Sequence, residues 1–191
     1  MKFFPFLSGC PGRPRHARFA IVATSLCTAL ALLNTLRAVD VPANDDCQVI
    51  DCQNFILKYR TGWKVAADDP DYKAGSHFTI NGPGNKNSYV TFDIADKTTD
   101  PVQLLSSTLK SLDGTAIDAT TKSKIDTWGQ FKGAGMDLKG KILATYPGGI
   151  RIFAFNSGHR SVLIIECYWA DELKNLQPDL DYMLQNFVVK S

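Results

Sequence analysis

Few residues in this chain have side chains suited to chemistry. Beyond position 38 there are two histidines, His77 and His159, two glutamates, Glu166 and Glu172, and three cysteines, Cys47, Cys52 and Cys167. Three aspartates crowd into four positions at Asp68, Asp69 and Asp71. Carboxylates suit a hard cation and imidazoles suit zinc, so His77, His159 and Asp68–Asp71 together could make a small extracytoplasmic metal site or enzyme. Their spacing argues for plainer roles. Neither His-x3-His nor paired Cys-His spacing occurs, and no twelve-residue loop of regular oxygen ligands follows Asp68. The histidines read as turn or surface residues, and "DDPD" reads as a solvated acidic loop.

The nucleophile candidates fare no better. Cys167 lies in "SVLIIECYW", an apolar run in which a buried free thiol is the ordinary expectation, whereas a reactive thiolate needs an exposed, electropositive setting. The serines have no Gly-x-Ser-x-Gly elbow around them, and "GPGNKNS" lacks the Gly-Lys-Ser/Thr ending of a phosphate loop. Glu166, on the same apolar strand, needs a partner, and Arg151 or Arg160 would supply a structural ion pair. No catalytic set converges, and no cofactor is called for. What remains are binding candidates: Trp63 and Trp128, each beside a turn, and Arg60 next to the first. A large amphipathic ring at a strand end plugs a core edge or anchors a partner. Core plug is the reading for Trp63, and Trp128 stands open between the two. Cys47 and Cys52 could close a disulfide loop of six residues, contributing only about 2 kcal/mol. Pairing of Cys52 with Cys167 stays open.

Residues 1–38 differ from the rest. They hold five basic residues (Lys2, Arg13, Arg15, Arg18, Arg37), no acidic one, and the apolar run Ala20–Leu33. Those 14 residues fall short of the roughly 20 that a membrane-spanning helix takes. A basic lead, a short apolar centre and small residues after it make a secretory signal peptide, cleaved after Ala38 or Ala43. The rival is an uncleaved segment that would hold the protein at a membrane surface. Removing the five basic residues from the chain's 21 leaves 16 against 19 acidic ones, a net charge of −3. A weakly acidic domain gives no electrostatic reason to bind nucleic acid.

The elements follow from residue period. Residues 39–52 read as a polar linker, and 53–191 as one domain, large enough to bury a core without disulfides. Strands are expected near 54–59, 63–65, 77–80 and 88–95. Asp100 caps a helix whose first residue is Pro101, with Val102, Leu105, Leu109 and Leu112 on one face and Gly114 as a stop. Four strands follow near 123–127, 130–139, 149–156 and 160–169, joined by links too short for parallel crossovers. Leu173, Leu176, Leu180, Met183, Leu184 and Phe187 recur at helical spacing, with Pro178 opening a second helix, and "FVVK" ends the domain as a strand. The sum is an α+β domain: an α/β/α sandwich with a central antiparallel sheet of about six or seven strands and one main helix on each face.

With its punctuation, this order resembles the PsbP-like family, which includes PsbP, the Ran-release factor and bacterial exported relatives. Tyr59-Arg60-Thr61-Gly62-Trp63 stands where members carry a "YP-x-GW"-like corner, with Arg60 in place of the usual proline. The helix at 101–112, "DTWGQFKGAG", Gly158-His159-Arg160-Ser161-Val162-Leu163 and Asn186-Phe187-Val188-Val189 match the later landmarks. The resemblance covers about residues 53–190. It implies the sandwich fold and an accessory or binding role; together with the signal segment, the expectation is an exported, periplasmic or secreted accessory or binding protein with a protein partner. Every landmark belongs to the fold and none to a reaction, so the resemblance implies no specific activity.

Overall fold

A computed structural model of the chain describes residues 46–84, 86–112 and 117–190. The export segment expected over 1–38, and the Gly114 stop, lie outside those residues.

The first described strand, β1 (Cys47–Asp51), turns at Cys52–Asn54 into β2 (Phe55–Arg60), and the two pair antiparallel from Cys47 opposite Arg60 to Asp51 opposite Ile56. This corrects the expectation that 39–52 is all linker: residues 47–51 are a strand whose Val49 and Ile50 are half-buried against β2. It also removes the Cys47–Cys52 disulfide. The cysteines stand at opposite ends of an extended strand, and a rise of about 3.3 Å per residue puts them far beyond the ~7 Å Cα limit of a disulfide. Both are free thiols.

After a corner at Gly62, the chain enters a different sheet. There β3 (Lys64–Val65), β4 (His77–Asn81) and β5 (Tyr89–Ala95) pair in sequence, and α1 (Pro101–Leu112) crosses one face. As the sequence suggested, Asp100 Oδ1 accepts from Val102 N–H at 2.8 Å, a local cap for α1. Four long antiparallel strands then complete the sheet: β6 (Ile117–Trp128), β7 (Phe131–Ile142), β8 (Tyr146–Ser157) and β9 (Arg160–Trp169). The order across the seven-stranded sheet is β3-β4-β5-β9-β8-β7-β6, all neighbours antiparallel. Strand β9 is central and buried on both faces, which is why its sequence barely alternates. At the edge, β6 carries the exposed Lys122 and Lys124 and two register shifts, features that discourage edge-to-edge pairing.

A single helix, α2 (Ala170–Gln185), covers the other face, and β10 (Phe187–Val189) joins β2. The expectation that Pro178 opens a new helix does not hold, since it lies inside α2. Leu176 before it and Leu180, Met183 and Leu184 after it keep one buried stripe, and that packing outweighs the hydrogen bond to the Lys174 carbonyl that proline cannot make. The first and last strands of the domain, expected in the central sheet, form instead a separate three-stranded sheet, β1-β2-β10.

Two cores result. On one face Phe55, Leu57, Trp63, Phe78, Phe92, Phe153, Phe155, Ile164 and Phe187 pack with the α2 stripe. On the other, Leu105 of α1 packs on Leu138, Ile142, Ile150, Ile152, Ala154, Leu163 and Cys167. The architecture is the expected α+β sandwich, with a small sheet sharing the α2 layer.

Candidate functional site

The corner after β2 carries the chain from the small sheet to the large one. Gly62 has φ 104°, a left-handed conformation that favours glycine, and Trp63 N–H donates to the Arg60 carbonyl at 3.3 Å. Directed inward, Trp63 is 1% exposed, and its Nε1 donates to Asp179 Oδ2 on α2 at 2.9 Å. It is therefore a core plug that ties the corner to α2. Trp128 is also buried, edge-on to Phe153, with the Arg151 guanidinium 5.3 Å from its ring centre. Arg60 stays exposed and lies 4.3 Å above the Tyr182 ring. Neither tryptophan offers an exposed face to a partner.

Under Trp128 runs a row of charge that the sequence half revealed. Asp137, Arg151 and Glu166 are direct register neighbours across β7, β8 and β9, on the α2 face. Arg151 Nη1 donates to Glu166 Oε2 at 3.0 Å, and its Nη2 lies 3.8 Å from Asp137 Oδ2. Tyr168 reaches across Gly149 and donates to Asp137 Oδ1 at 3.3 Å. Glycine is required there, because a Cβ would stand 2.3 Å from the Tyr168 hydroxyl. One guanidinium thus serves two carboxylates, and Glu166 Oε1 has no hydrogen-bond partner among the described residues. Burial pushes the Glu166 carboxyl up to about 7; Arg151 pulls it down, and Asp137 and Asp181 add to the rise. A second buried carboxylate, Glu172, is fully engaged by Asn87 N–H, Ser88 N–H and Ser88 Oγ, pinning Asn87 and Ser88 to the start of α2.

The metal candidates stay apart. His77 opens β4 opposite Asp93, while His159 lies beyond the β9 residue that pairs with Asp93, two strands away. Strand spacing and rise put them on the order of 15 Å apart, so they cannot share an ion. Asp93 raises the His77 pKa (Nδ1–Oδ1 3.9 Å), burial opposes it, and Asp69 and Asp71 add to the rise. Asp69 itself is taken up locally, its Oδ1 accepting from Asp71 N–H at 2.9 Å. Cys167 is buried, and burial lifts its thiol to about 12, the wrong direction for a nucleophile.

Two surface features had no signal in the sequence reading. One is an apolar cleft of about 230 Å³ between the small sheet and the 66–76 loop, lined by Val49, Ile50, Phe55, Val65, Tyr72 and Phe78, with the exposed Ala67 and Ala74 among its walls. Cys52 also lines it, its thiol held up by burial and then by the Asp51 charge. Asp68, Asp69 and Asp71, read in the sequence as a solvated loop, belong to the segment that walls this cleft. The other feature is the β7–β8 turn. Leu143 and Ala144 have φ 49° and 58°, where Asn-Gly would be the ordinary choice, and Leu143 is 47% exposed. Hydrophobic patterning flags neither feature, because both depend on backbone course.

No family model matches the sequence, and no curated protein matches it. Among solved structures, the chain is similar to a PsbP of the cyanobacterium Synechocystis, at 10% identity and TM-score 0.49, over 83% of this chain and 99% of that one. It is also similar to the Ran-binding protein Mog1p of Saccharomyces cerevisiae, at 11% identity and TM-score 0.49, over 76% and 96%. A third is LpqN of Mycobacterium tuberculosis, described as involved in cell envelope biogenesis, at 13% identity and TM-score 0.39, over 80% and 83%.

Proposed function

We propose that this chain is an exported, non-catalytic accessory protein of the PsbP-like type, and that it works by holding a protein partner at the cleft between the small sheet and the 66–76 loop. The cleft itself carries the reading: a preformed apolar hollow next to a loop with three aspartates and one lysine, Lys73. Apolar hollows of this kind take up a partner's anchoring side chain, and the charges beside them select which partner approaches. Groups suited to chemistry are engaged internally: Glu166 with Arg151, Glu172 with Asn87 and Ser88, Trp63 with Asp179. Export rests on the basic-then-apolar character of residues 1–38.

The test is comparative capture. Ala74 is exposed, so Ala74→Arg places a long charged side chain at the cleft without disturbing the core. A protein that co-purifies with the wild-type chain and is lost with Ala74→Arg, at equal yield of folded chain, supports the reading. Identical co-purifying proteins with both chains would refute it.

A further inference from the structure

The cleft and the β7–β8 turn lie at opposite ends of the molecule, and they match. Residues Leu143 to Pro147 form five consecutive exposed positions without a charge. Leu143 is 47% and Tyr146 51% exposed. Behind this tip come the exposed Lys141 and Lys139, the latter 3.6 Å from the Asp137 carboxylate, and no acidic residue occurs between Asp137 and Glu166. The cleft has the opposite character: a concave apolar surface whose walling loop exposes Asp68 and Asp71, with Lys73 as its one basic residue, while Asp51 at the end of β1 is paired with Lys190. Its negative field is felt by His77, whose pKa Asp69 and Asp71 help to raise. A cavity of about 150 Å³ admits a benzene ring, so about 230 Å³ has room for a leucine side chain.

The tip has also been bought at a cost in stability. Two L-residues in succession hold a left-handed conformation at a turn that Asn-Gly would make without strain. A sequence that breaks a local rule at an exposed position, and exposes leucine in doing so, points to selection for something other than folding. What the strain secures is a fixed shape. A fluid bilayer has no use for that, whereas a shaped cleft does.

The tip of one molecule does not reach the cleft of the same molecule. The tip joins β7 to β8 at the end of the sheet where Trp169, Tyr89 and Asn81 lie, while the cleft flanks the other end of β4, three strands away from β8. Resting on the reading of the cleft as a docking site, we propose that its occupant is a second copy of this chain: the Leu143–Tyr146 tip of one copy seats in the cleft of the next. Such a contact is heterologous, with different surfaces meeting, so it extends head to tail instead of closing as a symmetric pair. With one turn as the knob, the contact is small, which makes the association reversible and dependent on concentration. Attraction between Lys141 on one side and the exposed Asp68 and Asp71 on the other makes it sensitive to salt.

Sedimentation of the protein, purified as the cell processes it, tests this with two variants. Ala74→Arg blocks the cleft and leaves the tip intact. Leu143→Asn with Ala144→Gly removes the knob, suits the turn, and leaves the cleft intact. Expected are a wild-type mass that climbs with concentration and falls back on adding salt, and monomers for each variant alone. An equimolar mixture of the two variants, each supplying the surface the other lacks, should form a complex that stops at the dimer. A monomeric wild type at every concentration, either variant assembling like wild type, or a mixture that stays monomeric would overturn the proposal. So would a monomer that binds vesicles of phosphatidylglycerol through the same tip. If the chain is monomeric while Ala74→Arg still abolishes capture of another protein, self-association fails and the docking reading stands. Loss of both effects would sink the two together.

Discussion

Replacing Glu166 by glutamine should flatten the dependence of stability on pH. Its side chain is 1% exposed; one oxygen is held by Arg151, which also serves Asp137, and the other has no partner among the described residues. Half-satisfied carboxylates in such surroundings favour the proton. The group rises from an ordinary 4.5 to about 7, chiefly through burial. Between those values the folded chain keeps a proton that the unfolded chain has released. Stability is therefore fully present below about pH 4.5 and falls as pH climbs to about 7. At 1.36 kcal/mol per pH unit, the decline is on the order of 3 kcal/mol. Glutamine retains the shape, cannot ionise, and leaves Arg151 with Asp137. Urea unfolding followed by tryptophan fluorescence across this range should show the slope in wild type and its loss in Glu166→Gln. The raised pKa of His77 acts in the same direction, with its contribution lost as pH rises through its folded value, so the difference between the two proteins isolates Glu166. A slope that survives in the variant would refute the assignment. A wild type that gains stability with pH relative to Glu166→Gln would mean that Arg151 holds Glu166 ionised throughout.

Three further outcomes are expected. Leu143→Asn with Ala144→Gly should raise unfolding stability by about 1–2 kcal/mol, since a left-handed non-glycine residue costs roughly that much and glycine returns part of it as entropy; a drop in the urea midpoint would show that the turn is not strained. At Gly149 a Cβ would meet the Tyr168 hydroxyl at 2.3 Å, its Cζ at 2.4 Å and the Leu138 carbonyl at 2.7 Å. Gly149→Ala should therefore cost about 2–3 kcal/mol by overpacking and free Tyr168 from Asp137, and wild-type stability would contradict the packing described. Asp93→Asn should lower the His77 pKa in an NMR titration of the imidazole, and an unmoved titration would remove Asp93 as its cause.

The sequence reading succeeded where pattern and packing agree. Asp100-Pro101 starts α1 because a capping carboxylate and a proline without N–H satisfy the same helix end. Strand β9 read as doubly covered because both of its faces are apolar, and the need of Glu166 for an arginine followed from burial alone, with Arg151 the partner found. Failures came where long-range pairing decides. Cys47–Asp51 is polar enough to pass for a linker, and only β2 makes it a strand. Nothing local in Phe55–Arg60 or Phe187–Val189 says that they leave the central sheet to pair with each other. Pro178 stays helical because the Leu176 to Leu184 stripe packs across it. As for the candidate site, Trp63 was legible as a plug, but the cleft is assembled from five separated stretches, and the strained tip from two ordinary residues in an unusual conformation.

The central claim is that the cleft between the small sheet and the 66–76 loop holds a protein. Photo-crosslinking in the native cell tests it most directly, with the reactive side chain at Ala74 in the cleft or, for comparison, at Val102, which is 63% exposed on α1. The account predicts one discrete protein product from Ala74, with this chain or another, and none from Val102. No product from Ala74, or the same product from both positions, would contradict it.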